Sequence, residues 1–102
     1  MIHVIAVITT KPGLRDSVLQ LFGEIVPAVR GEKGCIEYGA AVDFAPAQES
    51  QTPLGADTFM VVEKWESAAA LDAHSKAPHM VAYRGKVKDM IAHRAIHVLS
   101  PA

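Results

Sequence analysis

The chain has 102 residues and a formal net charge of −1, from ten Lys and Arg residues against eleven Asp and Glu residues. No run of like charge occurs, so there is no electrostatic reason to expect binding to nucleic acid or to an anionic membrane. The single cysteine, Cys35, excludes an intrachain disulfide and a cysteine-based zinc cluster. Half of the residues are hydrophobic. The length suits one core, and we therefore predict a single domain over residues 1–102 in a cytoplasmic protein.

The first segment is apolar from its start. Residues 2–9, "IHVIAVIT", are rich in β-branched side chains and are apolar on both parities, which is typical of a strand buried on both faces. The apolar run ends at Thr9, too early for a membrane span, and no secretory signal is expected. After a turn at Pro12 and Gly13, an amphipathic helix is predicted to end within "RGEKG", residues 30–34. Its apolar stripe consists of Leu14, Val18, Leu21, Phe22, Ile25 and Val29.

The middle of the chain predicts two further strands. Residues 35–44 place their apolar side chains on one parity, and residues 58–65, "TFMVVEKW", are apolar on both. Between them, residues 45–57 carry two prolines and mostly small or polar side chains. This connection is too long for a tight hairpin, and we expect it to be either mobile or used at a partner surface.

The last third predicts two helices and a strand. Ser67 is a suitable N-cap for a helix through His74, and Pro78 breaks that helix because proline lacks a backbone donor. A further helix extends to Met90 or Ile91, and residues 93–100 form a last strand. The order strand, helix, strand, strand, helix, strand predicts an α+β, ferredoxin-like fold, in which the helices cover one face of a four-stranded antiparallel sheet.

Two of the predicted strands are apolar on both faces, and this bears on how the chain assembles. The helices of a ferredoxin-like fold cover only one face of the sheet, so the other face needs a partner. Large exposed apolar patches are rare on monomers, and a second copy packed sheet against sheet is the simplest cover. The sequence therefore predicts a homodimer.

Three segments carry a family resemblance. "VIAVITTKPG", "GCIEYGAAVD" and "VEKWESAAALDAHSKAPHMVAYRGKVKDMI" resemble the antibiotic biosynthesis monooxygenase superfamily, and within it the bacterial quinol monooxygenase branch. The run from Trp65 to Tyr83 is the most specific part. The resemblance implies a dimeric α/β barrel of two ferredoxin-like protomers that oxygenates a hydroquinone or polycyclic phenol with O₂, without flavin, haem or metal. The haem-degrading branch uses an Asn in the first strand, which this chain lacks, so that activity is disfavoured.

Such chemistry needs an apolar pocket for a flat substrate, a base for a phenolic proton and protection from bulk water. Histidine suits the role of the base because its ordinary pKa, about 6.5, lies near working pH. We expect His79 or His74, which flank Pro78, to accept the proton, with Tyr83 as a hydrogen-bonding partner. The predicted wall of the aromatic pocket consists of Trp65, Tyr38, Phe59, Met60 and Met80.

Simpler interpretations of these residues stay open. Trp65 at a strand end suits a core position, His74 suits a cap for carbonyl groups at a helix C-terminus, and His79 suits a solvated first turn. Met80 and Tyr83 at helical spacing suit a core. Two other functions share the same pocket: a stress-response or small-aromatic-ligand binding protein without chemistry, and an isomerase or decyclase that moves a proton without O₂.

A metal site is not predicted. His93 and His97 lie four residues apart on a strand, about 13 Å at about 3.3 Å per residue, too far for one ion. His74 and His79 have no Cys, Asp or Glu around them in a known ligand pattern. The nearest carboxylates along the chain, Asp72 and Glu66, have the character of exposed helix residues.

Overall fold

The computed structural model describes all 102 residues. The chain folds as β-α-β-β-α-α-β, the ferredoxin-like α+β arrangement that the sequence predicts. The elements are β1 (Ile2–Thr10), α1 (Arg15–Arg30), β2 (Cys35–Ala41), β3 (Thr58–Trp65), α2 (Ala68–Lys76), α3 (Pro78–Val87) and β4 (Ile91–Leu99).

The four strands form one antiparallel sheet in the order β2-β3-β1-β4. Burial alternates along β3, where Phe59, Val61, Glu63 and Trp65 are buried and Met60, Val62 and Lys64 are less so. The buried parity packs under the helices, and the core lies in that layer. The candidate site described below lies on this covered side.

The break predicted at Pro78 separates α2 from α3. Ser67 Oγ accepts a hydrogen bond of 3.2 Å from the backbone N–H of Ala70 and so caps α2 at its N-terminus. Ala77, which precedes the proline, is extended with φ −61° and ψ 141°, as the steric clash with the proline ring requires. Pro78 then begins α3, where its missing N–H costs nothing. The junction turns the chain between two short helices.

Gly34, just before β2, allows α2 to approach the end of the sheet. Its φ is +88°, and a Cβ built there would lie 2.5 Å from the Ala70 Cβ. Its carbonyl also accepts a 2.8 Å hydrogen bond from the backbone N–H of Glu66. Only glycine meets both the positive φ and the close packing, so this residue fixes where α2 lies.

Two strand boundaries differ from the sequence prediction. β2 ends at Ala41, and the predicted residues 42–44 already belong to the long connection to β3. There the Asp43 carboxylate accepts hydrogen bonds from the backbone N–H groups of Leu54, at 2.8 Å, and Gly55, at 3.0 Å. These bonds tie the two ends of the connection together and lower the pKa of Asp43. β4 begins at Ile91, two residues earlier than predicted, because α3 ends at Val87.

The other face of the sheet carries no helix of this chain. Its central part is apolar and half-buried, formed by Ile5, Val7, Met60 and Val62 of the two inner strands. None of these four belongs to the core cluster.

None of the helices is long and apolar enough to span a membrane.

Candidate active site

A cavity of about 300 Å³ lies between the sheet and the helices. Eighteen residues line it, and thirteen of them are hydrophobic, so it suits an apolar ligand held by a few polar groups. The polar and phenolic lining residues are Tyr38, Glu63, His74, Ser75, Tyr83, Arg84 and Arg94. Three of the predicted catalytic and wall residues, Met80 and Tyr83 on α3 and Tyr38 on β2, line this cavity.

His74 is the histidine that lines this cavity. It is 5% exposed, and its Nδ1 lies 3.0 Å from Glu32 Oε2 while its Nε2 lies 3.9 Å from Glu63 Oε1. The ring packs 4.5 Å from the Trp65 ring and 5.4 Å from that of Tyr38, centroid to centroid. The inward position and the Glu32 contact do not fit the alternative in which the side chain caps helix carbonyls.

His79 occupies a different place from the one predicted. Its Nε2 lies 2.7 Å from Glu32 Oε2, and its side chain is 28% exposed. It lines a separate, smaller pocket of about 210 Å³ between α1 and α3 and does not line the main cavity. The prediction that the two histidines border one cavity is therefore wrong: they meet at a shared carboxylate, with one ring on each side of it.

Glu63 is a buried carboxyl group at the inner end of the cavity. It is 7% exposed and accepts a 2.9 Å hydrogen bond from the Trp65 Nε1–H. Burial raises the pKa of Glu63, and the hydrogen bond from Trp65 and the neighbouring His74 oppose part of that effect. A carboxyl group held in this way keeps its proton to a higher pH than an exposed one.

The two tyrosines that line the cavity keep their protons. Burial, with the charge of Glu63 as a second cause, raises the pKa of Tyr38 far above its ordinary value. Burial alone raises the pKa of Tyr83 to about 12. Both phenols therefore stay neutral, and both can donate a hydrogen bond to a ligand oxygen.

The predicted aromatic wall is only partly present. Trp65 and Phe59 are fully buried on the covered side of β3, but they lie behind the surface of the cavity and do not line it. Trp65 contacts both His74 and Glu63, so it belongs to the core and also borders the candidate site. The placement of Met60 in this wall is wrong, because Met60 pairs with Val7 on the face that carries no helix. A one-residue change in parity along a strand moves a side chain to the other face.

Glu32 and Glu63, the carboxylates that contact the histidines, were not predicted from the sequence. Asp72 and Glu66, the carboxylates predicted to be nearest, are not the nearest in space. Asp72 pairs with Lys76 on the outside of α2, and Glu66 is exposed. The sequence does indicate that Glu63 faces the core, since it shares the parity of Phe59 and Trp65. Nothing in the sequence indicates the contact of Glu32 with His74, because 42 residues separate them.

Other reactive groups do not extend the site. Cys35 is half-buried, and burial, followed by the charge of Glu32, raises the pKa of its thiol, which disfavours a reactive thiolate. No cluster of three or more His, Cys, Asp or Glu side chains is arranged to hold a metal ion. His93 and His97 are exposed on β4, opposite Thr9 and Ile5.

The sequence profile described as "Antibiotic biosynthesis monooxygenase" matches residues 1–86. The chain is 42% identical over 103 aligned residues to the probable quinol monooxygenase YgiN of Escherichia coli K12, covering 99% of this chain and 98% of the relative. The chain belongs to the antibiotic biosynthesis monooxygenase family. The sequence resemblance is thereby confirmed at family level, and a monooxygenase function follows from it.

Two solved structures share the fold of this chain. Rv0793 from Mycobacterium tuberculosis superposes with a TM-score of 0.80 at 26% identity, covering 99% of this chain and 94% of that one. PA3566 from Pseudomonas aeruginosa gives a TM-score of 0.83 at 23% identity, covering 99% and 93%. The latter likeness concerns the fold alone.

Proposed function

We propose that this member of the family is a cofactor-independent monooxygenase that oxidises a hydroquinone-like or polycyclic phenolic aromatic with O₂. The observation that carries the proposal is His74, a buried imidazole at the wall of a largely apolar cavity, with its Nδ1 on a carboxylate. A relative with 42% identity is named as a probable quinol monooxygenase, which supports the substrate class.

His74 is the proton acceptor in this proposal, in preference to His79. A hydrogen bond from Nδ1–H to Glu32 leaves Nε2 unprotonated in the neutral ring, free to accept a substrate proton. Glu32 and His79 are positioning residues: His79 holds the Glu32 carboxylate at 2.7 Å from the far side, and Glu32 fixes the orientation of the His74 ring. Tyr83 and Tyr38 donate hydrogen bonds to the substrate oxygens.

The reaction begins when the hydroquinone hydroxyl gives its proton to His74 Nε2. The resulting phenolate passes one electron to O₂, and the radical pair combines at a ring carbon to form a C–O bond. The ring carbon then loses its proton as the O–O bond breaks, which leaves one oxygen atom on that carbon and releases the other as water with this proton and a second one. The substrate supplies all four electrons, and the proton stored on His74 returns for the water. The apolar walls keep bulk water from the radical pair.

We also propose that the protein works as a homodimer in the cytoplasm. The supporting observation is the apolar centre of the helix-free sheet face, at Ile5, Val7, Met60 and Val62. A second copy presents the same surface about a two-fold axis and so covers it without a different partner.

Oxygen uptake with menadiol tests the activity against the rate of autoxidation. We expect the protein to accelerate uptake, His74→Ala to reduce the acceleration by about 100-fold or more, and His79→Ala to reduce it less. Asp72→Ala, at an exposed position on the outside of α2, is the control and should be neutral. If His74→Ala and His79→Ala both keep the full rate, the base assignment is wrong. If no quinol accelerates uptake although an aromatic ligand binds, the chain is a binding protein.

A further inference from the structure

The cavity has a buried end and an open end of different character. His74 and Tyr38 at the buried end are 5% and 3% exposed. Along β4 the lining residues Ile96 and Val98 are 55% and 56% exposed, because no helix covers this edge strand. A ligand therefore enters along β4, and its inner end meets the imidazole.

Two arginines, Arg84 on α3 and Arg94 on β4, also line the cavity. Arg94 is exposed like its neighbours on β4, and Arg84 is partly so. The ion pairs of the chain use only lysine and histidine as cations, so neither arginine has a carboxylate partner. Two unpaired guanidinium groups beside an apolar cavity attract an anion.

The guanidinium of Arg84 is held in place. Its Nη2 donates a hydrogen bond of 2.6 Å to the backbone carbonyl of Ser75, at the end of α2. That bond uses one of five N–H donors and leaves the others for a ligand. The only carboxyl group in the lining, Glu63, is engaged by Trp65 deep in the cavity. The cations are therefore not neutralised from within the cavity.

We propose that the preferred substrate is a hydroquinone that carries a carboxylate on the part of the molecule remote from the reacting hydroxyl. Arg84 and Arg94 bind the carboxylate, and the aromatic rings fill the apolar middle. The reacting hydroxyl then reaches His74, and this last step rests on the proposed function. The reverse orientation would bury the anion beside Glu63, away from water, at a large cost in desolvation. The two arginines thus set both the substrate class and its orientation.

Binding of unreactive probes tests the anion site without any turnover. We expect 2-naphthoate to bind about 10-fold or more tighter than the neutral 2-naphthamide in isothermal titration calorimetry, with a preference that weakens as salt is added. Arg94→Gln and Arg84→Gln should each reduce the preference by roughly 10-fold and leave 2-naphthamide binding unchanged. Lys88→Gln removes an exposed cation that follows α3 and does not line the cavity, and it should keep the preference.

Arg84→Gln also removes the hydrogen bond to the Ser75 carbonyl and can destabilise the protein. If it does, Arg94→Gln, at an exposed position, is the variant that tests the anion site. Equal binding of the two probes to the unchanged protein would overturn the proposal. Variants that lose both probes alike would overturn it too, since the arginines would then only shape the cavity.

Turnover separates this proposal from the proposed function. The 6-carboxylate of 1,4-dihydroxynaphthalene should show a higher kcat/KM for oxygen uptake than the parent compound, and Arg94→Gln should lower only the former. If the carboxylate probes bind selectively but neither hydroquinone is oxidised, the anion site stands and the monooxygenase proposal for these substrates fails. If both are oxidised with equal kcat/KM, the anion proposal fails and the monooxygenase stands.

Discussion

The indole N–H of Trp65 donates a 2.9 Å hydrogen bond to Glu63, two residues earlier on the same side of β3. The spacing of two places both side chains under the helices, and both are almost completely buried. The bond gives a buried carboxyl group a donor that cannot titrate, since indole is a donor only. Trp65 therefore keeps Glu63 oriented whether or not its carboxyl group carries a proton.

The raised pKa of Glu63 predicts a pH-dependent cost to stability. The ordinary pKa of this carboxyl group is 4.5, and burial raises its pKa in the folded protein. Between the unfolded pKa and the higher folded pKa, the folded state binds more protons than the unfolded state. Stability then falls as the pH rises through this window. Glu63→Gln removes the titration, and its stability relative to wild type should increase from about pH 4 to about pH 8 in urea denaturation.

Glu66→Gln, at an exposed neighbouring position, is the control and should show a constant difference over the same pH range. A Glu63→Gln advantage that shrinks as the pH rises would mean that attraction between Glu63 and His74 outweighs burial.

The second prediction concerns Glu32. Because Glu32 contacts His74 but does not line the cavity, Glu32→Gln should lower kcat for quinol-dependent oxygen uptake by about 10- to 100-fold. KM should change little. Glu24→Gln, on an exposed position of α1, is the matched control. A Glu32→Gln variant that raised KM at constant kcat would place Glu32 in substrate binding instead.

The third prediction compares two glycines. Gly34→Ala should destabilise the protein by about 1–3 kcal/mol, because the added Cβ meets Ala70 at 2.5 Å on a backbone of positive φ. Gly23→Ala places its Cβ in open space on α1 and should stabilise by about 0.5–1 kcal/mol. Thermal unfolding measures both. Since α2 carries His74, Gly34→Ala should also reduce oxygen uptake; equal stability of the two variants would contradict the tight contact.

The fourth prediction tests the dimer. Val62→Glu places a charge at the centre of the helix-free face and should shift the protein toward monomers in light scattering at micromolar concentration. Ala73→Glu, on the exposed side of α2, adds the same charge elsewhere and should not. A wild-type protein that is already monomeric would remove the proposed reason for the apolar face.

The fold was predictable because its signals are local. Strand and helix periods, the Ser67 cap and the Pro78 break each follow from a few neighbouring residues, and the structure has them all. The site was less predictable because its contacts are not local. Met60 was misplaced although its parity differs from that of Phe59 and Trp65, so closer attention to the period of two would have excluded it.

The pairing of His74 with Glu32 could not be predicted from one sequence. Glu32 stands in the turn after α1, and His74 and His79 lie 42 and 47 residues later. The contact exists only because Gly34 lets α2 lie close to this turn. No spacing rule connects these positions along the chain.

At the open edge along β4, residues that line the cavity contribute little to the stability of the fold. Ile96 and Val98 face the cavity yet remain more than half exposed, so replacing them removes little buried surface and costs little stability. In the proposed monooxygenase, substitutions on this strand can therefore change which substrates are accepted while the network around His74 stays intact.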